Sequence, residues 1–489
     1  MADPMADNVA DLSAKTTPPL WTAEEVARAT GGLLCAHGEK DADEWMATGV
    51  SIDTRSLEPG DLFVALTGDA RNGHAFVAKA FEAGAAAALV SEIPGDAPKN
   101  APLVMTDETL SGLRSLGAAA RSRAHSKRIA VTGSVGKTSA KEMLRVALGA
   151  SGAVHASVKS YNNHWGVPLT LARMPADAAY GVFEIGMNHA GEIANLCPLV
   201  EPDAAIITAI APAHLEFFKN LEGIAEAKAE IFIGLKPGGT AIINRDTPFW
   251  PLLSRRAVER GAGQVVGFGE DPGADYRLLG ASRDTDGRMI VKAARRGEAI
   301  DFQLAAHGRH QALNALSVLA GVDALGGNLE AAIAALGALE AAEGRGRTQH
   351  IEIAGGRVAV IDESYNANPA SMAAALSLLG ETPTRGEGRR IAALGDMLEL
   401  GETGPALHAD VAEAVAAADV DLVFAAGPLM ASLWDALPKD RRGHYAESSN
   451  GLIEPLKAEL RDGDVLMAKG SLGSKMSLII EALTTAPVE

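Results

Sequence analysis

Residues 129–143 read as a strand, a glycine loop and a helix in direct succession. The apolar run Ile129-Ala130-Val131 leads into the loop Thr132-Gly133-Ser134-Val135-Gly136-Lys137-Thr138, and Ser139-Ala140-Lys141-Glu142-Met143 then favours a helix. Glycines let backbone N–H groups turn inward around a phosphate, and a helix N-terminus adds its positive dipole end. Lys137 would supply a mobile cation, and the Thr138 hydroxyl would be a magnesium ligand. The segment therefore predicts a site for ATP or GTP at the end of a buried strand.

The same segment departs from the strict phosphate-loop pattern at one position. G-x-x-x-x-G-K-[ST] requires a glycine five residues before Gly136, where this chain has Val131. An ordinary strand–turn–helix with a chance Gly-Lys-Thr is the alternative interpretation. The complete order of strand, glycines, lysine, threonine and helix favours the nucleotide site.

Size and charge narrow the class of protein. A chain of 489 residues is too long for one core, and we expect about three domains. Its 44 Lys and Arg against 62 Asp and Glu give a net charge of −18, which argues against a nucleic-acid partner. Cys35 and Cys197 are far apart in sequence and fit no metal-ligand spacing, so we expect two reduced thiols.

The N-terminal segment 1–19 is acidic and polar, and it predicts a disordered tail. It lacks the apolar core of a signal peptide, and no run in the chain approaches the roughly 20 apolar residues that cross a bilayer. We therefore expect a cytoplasmic protein without membrane insertion.

Strands and helices alternate along the rest of the chain, which predicts an α/β fold with mostly parallel sheets. Continuous apolar runs such as 204–207 and 240–243 are typical of parallel strands covered on both faces. The pattern divides into a small α/β domain, a central domain around the glycine loop and a C-terminal α/β domain. Their predicted bounds are 20–106, 107–346 and 347–489, with the glycine- and arginine-rich stretch 343–347 as a hinge.

Residues at the carboxyl ends of strands are candidates for function, because open α/β sheets bind ligands at that edge. Glu184 ends the apolar run 181–183 and is predicted to ligate magnesium, with a helix-capping or surface carboxylate as the alternative. His214 follows another apolar strand, and the residues alone favour a structural hydrogen-bonded histidine. Lys228 lies in a helix of mixed charge and is predicted from composition to be a solvated surface lysine.

Three polar loops add further candidates. Asn162 and Asn163 open a helix, and turn formation and ligand binding are equally supported there. Asn314, in a helix that begins near residue 309, could reach a base or ribose, or serve as a cap or surface residue. The dense polar stretch 364–369 follows the strand 358–361, which favours function.

Taken together, these residues resemble the Mur ligase family of peptidoglycan synthesis. The resemblance covers nearly the whole chain after residue 19, and its order and spacing make it specific. It is carried by Ser51–Gly68 with Asn72-Gly73-His74, Thr132–Met143, Asn162-Asn163 with Gly166-Val167-Pro168, Glu184–His189, Ala213–Glu216, Ala227–Phe232, Gly308–His310, Ser364–Asn368, Gly395–Gly401 and Lys469–Ser471. The resemblance implies a UDP-substrate domain, a central ATPase and a C-terminal Rossmann-like domain.

The resemblance also implies an ATP-dependent ligase. ATP would activate the terminal carboxylate of a UDP-N-acetylmuramoyl-tripeptide as an acyl phosphate, which the amine of D-alanyl-D-alanine would attack. Magnesium, as two ions, and lysine would offset the repulsion between the carboxylate and the triphosphate. The glycine loop continuing into Lys141-Glu142-Met143, together with Tyr365–Asn368, favours this member. Sister ligases that add one amino acid to the muramoyl peptide or glutamate to folate are alternatives, as is a phosphate-loop switch acting through a protein partner. We expect a monomer.

By the same resemblance, roles are assigned to particular residues. Thr138 and Glu184 would hold one magnesium ion, and His214 would bind the second. Lys228 falls where the family carries a carbamylated lysine. This assignment reverses the interpretation of Lys228 as a surface residue. Catalysis would use Lys137, Glu184, His214 and Lys228. The nucleotide would be bound by Thr132, Gly133, Ser134, Val135, Gly136, Lys137, Thr138, Asn314, Arg347 and Glu363. The other substrates would be bound by Ser51, Thr54, Arg55, Asn72, His74, Asn162, Asn163, Asn188, Tyr365, Asn366, Glu399 and Lys469.

Two assignments keep an alternative. The family usually has aspartate directly before the Tyr-Asn segment's serine or alanine, whereas this chain has Glu363 preceded by Asp362. The arginine that reaches phosphate from the C-terminal domain is Arg345 or Arg347, and Arg347 is preferred because Ile351 then falls in register.

Overall fold

A computed structural model describes residues 19–36, 44–68, 71–158, 160–212, 215–284, 288–305, 308–339, 344–353 and 355–484. The described residues form two compact units. The first unit comprises the chain up to Arg123 together with Leu171–Ala176, and the second comprises Ala124–Thr170 together with Asp177–Glu489. The predicted tail 1–19 lies outside the described residues except for Pro19.

The first unit is a small α/β structure. Its elements in chain order are β1 Trp21–Thr22, α1 Ala23–Thr30, β2 Leu33–Ala36, β3 Met46–Ala47, β4 Gly49–Ser51, β5 Asp61–Val64, α2 Val77–Glu82, β6 Ala87–Val90, β7 Pro102–Met105 and α3 Thr109–Arg123. Five strands form one sheet in the order β2-β7-β6-β5-β4, in which only the β2–β7 pair is antiparallel, and β1 pairs with β3. A capping box between Thr22 and Glu25 begins α1. The indole N–H of Trp21 donates to the carbonyl of Ala172, which ties Leu171–Ala176 to this unit.

The second unit contains a large sheet around the glycine loop. The elements of this part are β8 Lys127–Thr132, α4 Lys137–Gly149, β9 Val154–Ala156, α5 Gly166–Ala172, β10 Tyr180–Glu184, α6 Glu192–Val200, β11 Ala204–Ile207, α7 Leu221–Ala229, β12 Thr240–Asn244, α8 Trp250–Glu259, β13 Gln264–Gly269, β14 Tyr276–Arg283, β15 Met289–Arg295, β16 Glu298–Ala299, β17 Phe302–Leu304, α9 Arg309–Ala324 and α10 Leu329–Gly337. The strand order is β16-β15-β14-β13-β12-β11-β8-β10-β9, with β17 on β15. Pairing is parallel from β9 to β14 and antiparallel beyond, so the predicted mostly parallel sheet is confirmed.

The core of this sheet lies between its apolar strands and the helices α4 and α9. Ile129 and Val131 of β8 are fully buried against Leu144 of α4 and Leu316 of α9. Burial of such side chains contributes about 1.5–3 kcal/mol each and fixes β8 in the middle of the sheet. The residues that follow β8, β10 and β11 therefore meet at one edge.

The second unit also contains a six-stranded sheet. Its elements are β18 Arg347–Ile353, β19 Gly356–Glu363, α11 Pro369–Glu381, β20 Arg390–Gly395, α12 Gly404–Ala409, α13 Val411–Ala417, β21 Leu422–Ala426, α14 Met430–Ala436, β22 Arg442–Ala446, α15 Asn450–Glu459, β23 Val465–Lys469 and α16 Ser477–Thr484. The order is β18-β19-β23-β20-β21-β22, with only β18 antiparallel. Along β20, Ile391 and Ala393 enter one buried cluster while Ala392 and Leu394 enter another, so both faces are covered.

The predicted division at 106/107 and 346/347 stays a prediction. In the described part of the chain, no helix has the length and apolar character needed to cross a membrane.

Candidate active site

The loop after β8 depends on two glycines with positive φ. Gly133 has φ 151°, and a Cβ there would lie 1.9 Å from Oγ1 of Thr208. Gly136 caps α4 with φ 84°, and a Cβ there would lie 2.6 Å from Oδ1 of Asn314. The side chain of Thr132 is fully buried, so this residue contributes its backbone to the loop. The loop thus forms a narrow cradle at a helix N-terminus, the geometry that suits a phosphate group.

Ser134 fixes the middle of this loop to the chain that follows β11. Its hydroxyl donates to the carbonyl of Ala211 at 2.9 Å and accepts from the Ala211 N–H at 3.0 Å, and its own N–H donates to the carbonyl of Ala209 at 2.8 Å. The Ser134 side chain is therefore satisfied by protein atoms, and its role is to hold the loop in shape.

Lys137 is folded back over the loop. Its Nζ donates to the carbonyl of Gly133 at 2.7 Å. Burial lowers the pKa of Lys137, and the carboxylate of Glu184 acts in the opposite direction. Release of this internal hydrogen bond would let the ammonium turn toward an outer phosphate.

Glu184 lies directly beside the start of α4. The Thr138 hydroxyl donates to its Oε2 at 2.8 Å, and Nδ2 of Asn162 donates to its Oε1 at 2.7 Å. The Glu184 side chain is buried at the end of β10, next to β8. Hydroxyl, carboxylate and amide oxygens are ligands that magnesium prefers, so these three residues fit the predicted ion.

The described residues contain no group of three or more His, Cys, Asp and Glu that could hold a metal ion by themselves. Magnesium commonly completes its coordination with water and substrate phosphates, so the sparse set at Thr138 and Glu184 suits that ion.

Lys228 is buried rather than solvated. Only 2% of it is exposed, at the C-terminal end of α7, and burial lowers its pKa well below the ordinary 10.5, with the charge of Lys137 lowering it further. The expectation of a surface lysine from composition is therefore wrong, because the flanking alanines face the core. Lys228 donates no hydrogen bond to any described residue, and His214, the other predicted ligand, lies outside the described residues.

The paired asparagines have different roles. Asn162 reaches Glu184, whereas Oδ1 of Asn163 accepts the N–H of Gly166 and its carbonyl accepts that of Val167, at the start of α5. Asn163 is thus a turn former, one of the two interpretations that the sequence left open.

The side chains of Asp362 and Glu363 point in different directions and have different partners. Both oxygens of Asp362 accept protein hydrogens, Oδ2 from the Gly344 N–H at 2.7 Å and Oδ1 from the Ser364 hydroxyl at 2.6 Å. Glu363 points instead into a cavity, where Nζ of Lys469 lies 3.3 Å from its Oε2. Adjacent residues of a strand face opposite sides, so only Glu363 can meet a ligand.

The structure favours Arg345 over Arg347. Arg345 lines the cavity and its guanidinium lies 4.1 Å from the centre of the Tyr365 ring. Arg347 is exposed at the start of β18 and is not among the cavity residues. Arg345 lies between two glycines of positive φ, Gly344 and Gly346, and the role of either arginine stays a prediction.

Lys469, at the end of β23, is almost fully buried. Its Nζ donates to the carbonyl of Asn366 at 3.0 Å as well as approaching Glu363. Burial lowers the pKa of Lys469, whereas the charge of Glu363 and its hydrogen bond raise it. Glu399 lies on the same wall with φ 63°.

These parts enclose one cavity of about 510 Å³. Residues from both sheets of the second unit line it. They include Ser134, Val135, Gly136, Lys137, Thr138, Asn162, Glu184, Asn188, Thr208, Asn314, Arg345, Glu363, Tyr365, Asn366, Glu399 and Lys469. The sequence analysis missed Thr208 and preferred Arg347 to Arg345. Thr208 directly follows β11, so a search for residues at the carboxyl ends of strands could have found it.

The predicted UDP-substrate residues lie in the first unit. Nδ1 of His74 is 2.7 Å from Oδ1 of Asn72, and Nε2 of His74 accepts the N–H of Ser91 at 2.9 Å. The Arg55 guanidinium pairs with Asp53 and lowers the pKa of that carboxyl to about 2. Ser51 is buried at the end of β4, and its hydroxyl donates to the carbonyl of Asp53. Thr54 follows in a turn and is half-buried.

Comparison with known proteins places these observations in one family. The chain matches the Mur ligase middle domain over residues 131–322, the glutamate ligase domain of Mur ligases over 346–472, and the catalytic domain of the Mur ligase family over 47–146.

Relatives extend the likeness to nearly the full length. The UDP-N-acetylmuramoyl-tripeptide–D-alanyl-D-alanine ligase of Bacillus subtilis is 34% identical over 96% of this chain and 99% of its own. The ligase of the same name from Escherichia coli is 36% identical over 91% and 96%. Among solved structures, MurF from Acinetobacter baumannii is 29% identical with a TM-score of 0.81, covering 95% of this chain and 99% of its own. MurF ligase from Thermotoga maritima in complex with ADP is 25% identical with a TM-score of 0.75, covering 91% and 98%.

Proposed function

The chain belongs to the Mur ligase family, and we propose that it is the ATP-dependent ligase that joins D-alanyl-D-alanine to UDP-N-acetylmuramoyl-tripeptide. The observation that carries this proposal is the single cavity in which the glycine loop and Glu184 meet Arg345, Glu363 and Lys469. In this cavity, a nucleotide bound to the glycine loop would lie close to a second substrate bound against the C-terminal sheet.

We propose that the reaction proceeds in two steps. A carboxylate oxygen of the tripeptide attacks the γ-phosphorus of ATP, the bond to ADP breaks, and an acyl phosphate forms. The amine of D-alanyl-D-alanine then attacks the acyl carbon, loses a proton, and inorganic phosphate leaves. Lys137 and Arg345 both line the cavity, and they would neutralise the phosphate oxygens during both steps.

We propose that Thr138 and Glu184 hold magnesium and that Asn162 orients the Glu184 carboxylate. Bound magnesium would lower the repulsion between the anionic reactants. Lys228 fits the carbamate proposal in two respects. It is buried, and its lowered pKa favours the neutral amine that reacts with carbon dioxide.

We further propose that the first unit binds the UDP-sugar through residues around Ser51, Thr54, Arg55, Asn72 and His74, and that Asn188, Asn366 and Glu399 contact the peptides. We expect a monomer that acts in the cytoplasm, where ATP and UDP-linked precursors are available; light scattering after gel filtration tests the first expectation.

The deciding experiment measures phosphate release from ATP with UDP-N-acetylmuramoyl-tripeptide, with and without D-alanyl-D-alanine. We expect full turnover only when both are present, and mass spectrometry should detect the pentapeptide product. Free D-alanine or another single amino acid replaces the dipeptide as the matched control. Turnover that ignores both substrates, or that prefers the single amino acid, would contradict the proposal.

A further inference from the structure

One hydrogen bond joins the two sheets of the second unit beside the cavity. The hydroxyl of Tyr365 donates to Oγ of Ser160 at 2.7 Å, although the two residues are 205 positions apart. Ser160 immediately precedes the loop of Asn162, whose side chain holds Glu184. Tyr365 follows β19, so the bond ties the C-terminal sheet to the metal-binding side of the cavity.

The ring of Tyr365 has a second partner. The Arg345 guanidinium lies 4.1 Å from its centre, in cation–π contact. The Tyr365 N–H donates to the carbonyl of Gly344 at 3.2 Å, and a Cβ on Gly344 would lie 2.8 Å from the Cβ of Tyr365. The backbone before Arg345 is therefore packed directly on Tyr365, and only glycine fits there.

Arg345 acts on both ends of the cavity. Burial is the main cause that lowers the pKa of Lys137 and of Lys469, and the positive charge of Arg345 lowers both further. Arg345 lines the same cavity as Lys137 of the phosphate loop and Lys469 of the C-terminal sheet.

We propose that Tyr365 is a positioning residue: its hydroxyl docks the C-terminal sheet on Ser160, and its ring holds Arg345 toward the phosphates. This inference rests on the proposed function and changes the role of Tyr365 from the substrate contact that the sequence suggested. Ser160, which the sequence analysis did not name, is the hydrogen-bond partner of Tyr365 in this arrangement. In this hydrogen bond the Tyr365 hydroxyl is the donor and Ser160 Oγ is the acceptor, so the bond itself spends the Tyr365 proton on the protein.

Four single variants and one double variant test the proposal in the ligase assay. Tyr365→Phe and Ser160→Ala each remove one side of the hydrogen bond and keep the ring under Arg345. We expect each to lower kcat about fivefold with KM for D-alanyl-D-alanine unchanged, and the double variant to be no slower than either single variant. Tyr365→Leu also removes the ring. We expect kcat to fall by about 100-fold in Tyr365→Leu, and by a similar factor in Arg345→Ala.

Tyr445→Phe is the matched control, because the Tyr445 hydroxyl donates to the carbonyl of Gly427 elsewhere in the C-terminal sheet. It should leave kcat unchanged. Hydrogen exchange of the amides at 344–346, measured without substrates, should speed up in Tyr365→Phe and Ser160→Ala and stay constant in Tyr445→Phe.

Three results would overturn the proposal. They are a raised KM for the dipeptide in Tyr365→Phe with kcat retained, a Ser160→Ala variant that behaves as wild type, and additive losses in the double variant. Failure of the proposed function would be seen separately, as phosphate release by the wild type that does not depend on the two substrates. In that case the hydrogen-exchange measurement would still test the Tyr365–Ser160 hydrogen bond.

Discussion

The hydroxyl of Thr138 donates to one carboxylate oxygen of Glu184 across 2.8 Å, and the other oxygen of the same carboxylate accepts from Asn162. Three chain segments distant in sequence are thereby joined at the first turn of α4. Because β8 and β10 are neighbours in register, the contact follows directly from the sheet order.

Replacing Glu184 with glutamine tests its role as a metal ligand. The amide keeps the size of the side chain and removes the charge, so we expect kcat to fall about 100-fold or more and the magnesium requirement to rise. Glu454→Gln, at an exposed helix position, serves as control. Equal activity of the two variants over a magnesium titration would refute the assignment.

Gly136→Ala tests the cradle itself. A Cβ there would lie 2.6 Å from Oδ1 of Asn314 at a φ of 84°, so we expect ATP binding to be lost. Gly149→Ala, at the other end of α4, meets nothing within 4 Å and should keep binding and gain about 0.5–1 kcal/mol of stability. Calorimetric titration with ATP and thermal unfolding measure both effects; retained ATP binding in Gly136→Ala would show that the loop binds no phosphate.

The two arginines of the 345–347 stretch should differ in their effect. Arg345→Ala removes a cation from the cavity, so we expect kcat to fall about 100-fold. Arg347→Ala, on the exposed start of β18, should cost less than about threefold. Steady-state kinetics of the pair decide between them, and the reverse order of losses would restore the assignment that the sequence preferred.

Carbamate on Lys228 should depend on pH. Because burial lowers the pKa of Lys228, its neutral amine persists to lower pH than that of an exposed lysine, and protonation below that pKa removes the reactive form. With carbon-13 bicarbonate at pH 8 we expect one carbamate signal, which fades on acidification and is absent from Lys228→Met. Lys439→Met, at an exposed position, should retain it. A signal that survives in Lys228→Met would assign the carbamate elsewhere.

His408 should make stability sensitive to mild acid. It is fully buried, its Nε2 accepts the N–H of Met397 at 2.9 Å and its Nδ1 donates to the carbonyl of Gly404. Burial lowers its pKa below 6.5, so the unfolded chain binds the proton first, and stability falls as the pH drops from about 7 through the folded pKa. Melting temperatures of wild type and His408→Gln between pH 7 and 5 check this, and we expect a smaller decline in the variant. Parallel declines would exclude His408 as the source.

The strands and the glycine loop were predictable because each is encoded locally. The apolar run 204–207 coincides with β11, and the run 240–243 lies within β12. The antiparallel strands β14–β17 were not predicted, since their pairing is set at the edge of the sheet and not by local sequence.

Side-chain direction was the part that sequence could not supply. Asp362 and Glu363 carry the same charge in adjacent positions, and only the pleat of β19 decides which one faces the cavity. The burial of Lys228 likewise depends on how α7 packs, which its alanine-rich composition does not reveal.

One residue holds the backbone on both sides of Arg345. The Gly344 N–H donates to the side chain of Asp362, and the Gly346 N–H donates to its carbonyl. The backbone of Arg345 is therefore fixed to the end of β19 from both sides, and its guanidinium packs on the Tyr365 ring. A change in the position of β19 would move the Arg345 backbone with it, so the placement of this cation depends on the placement of the C-terminal sheet.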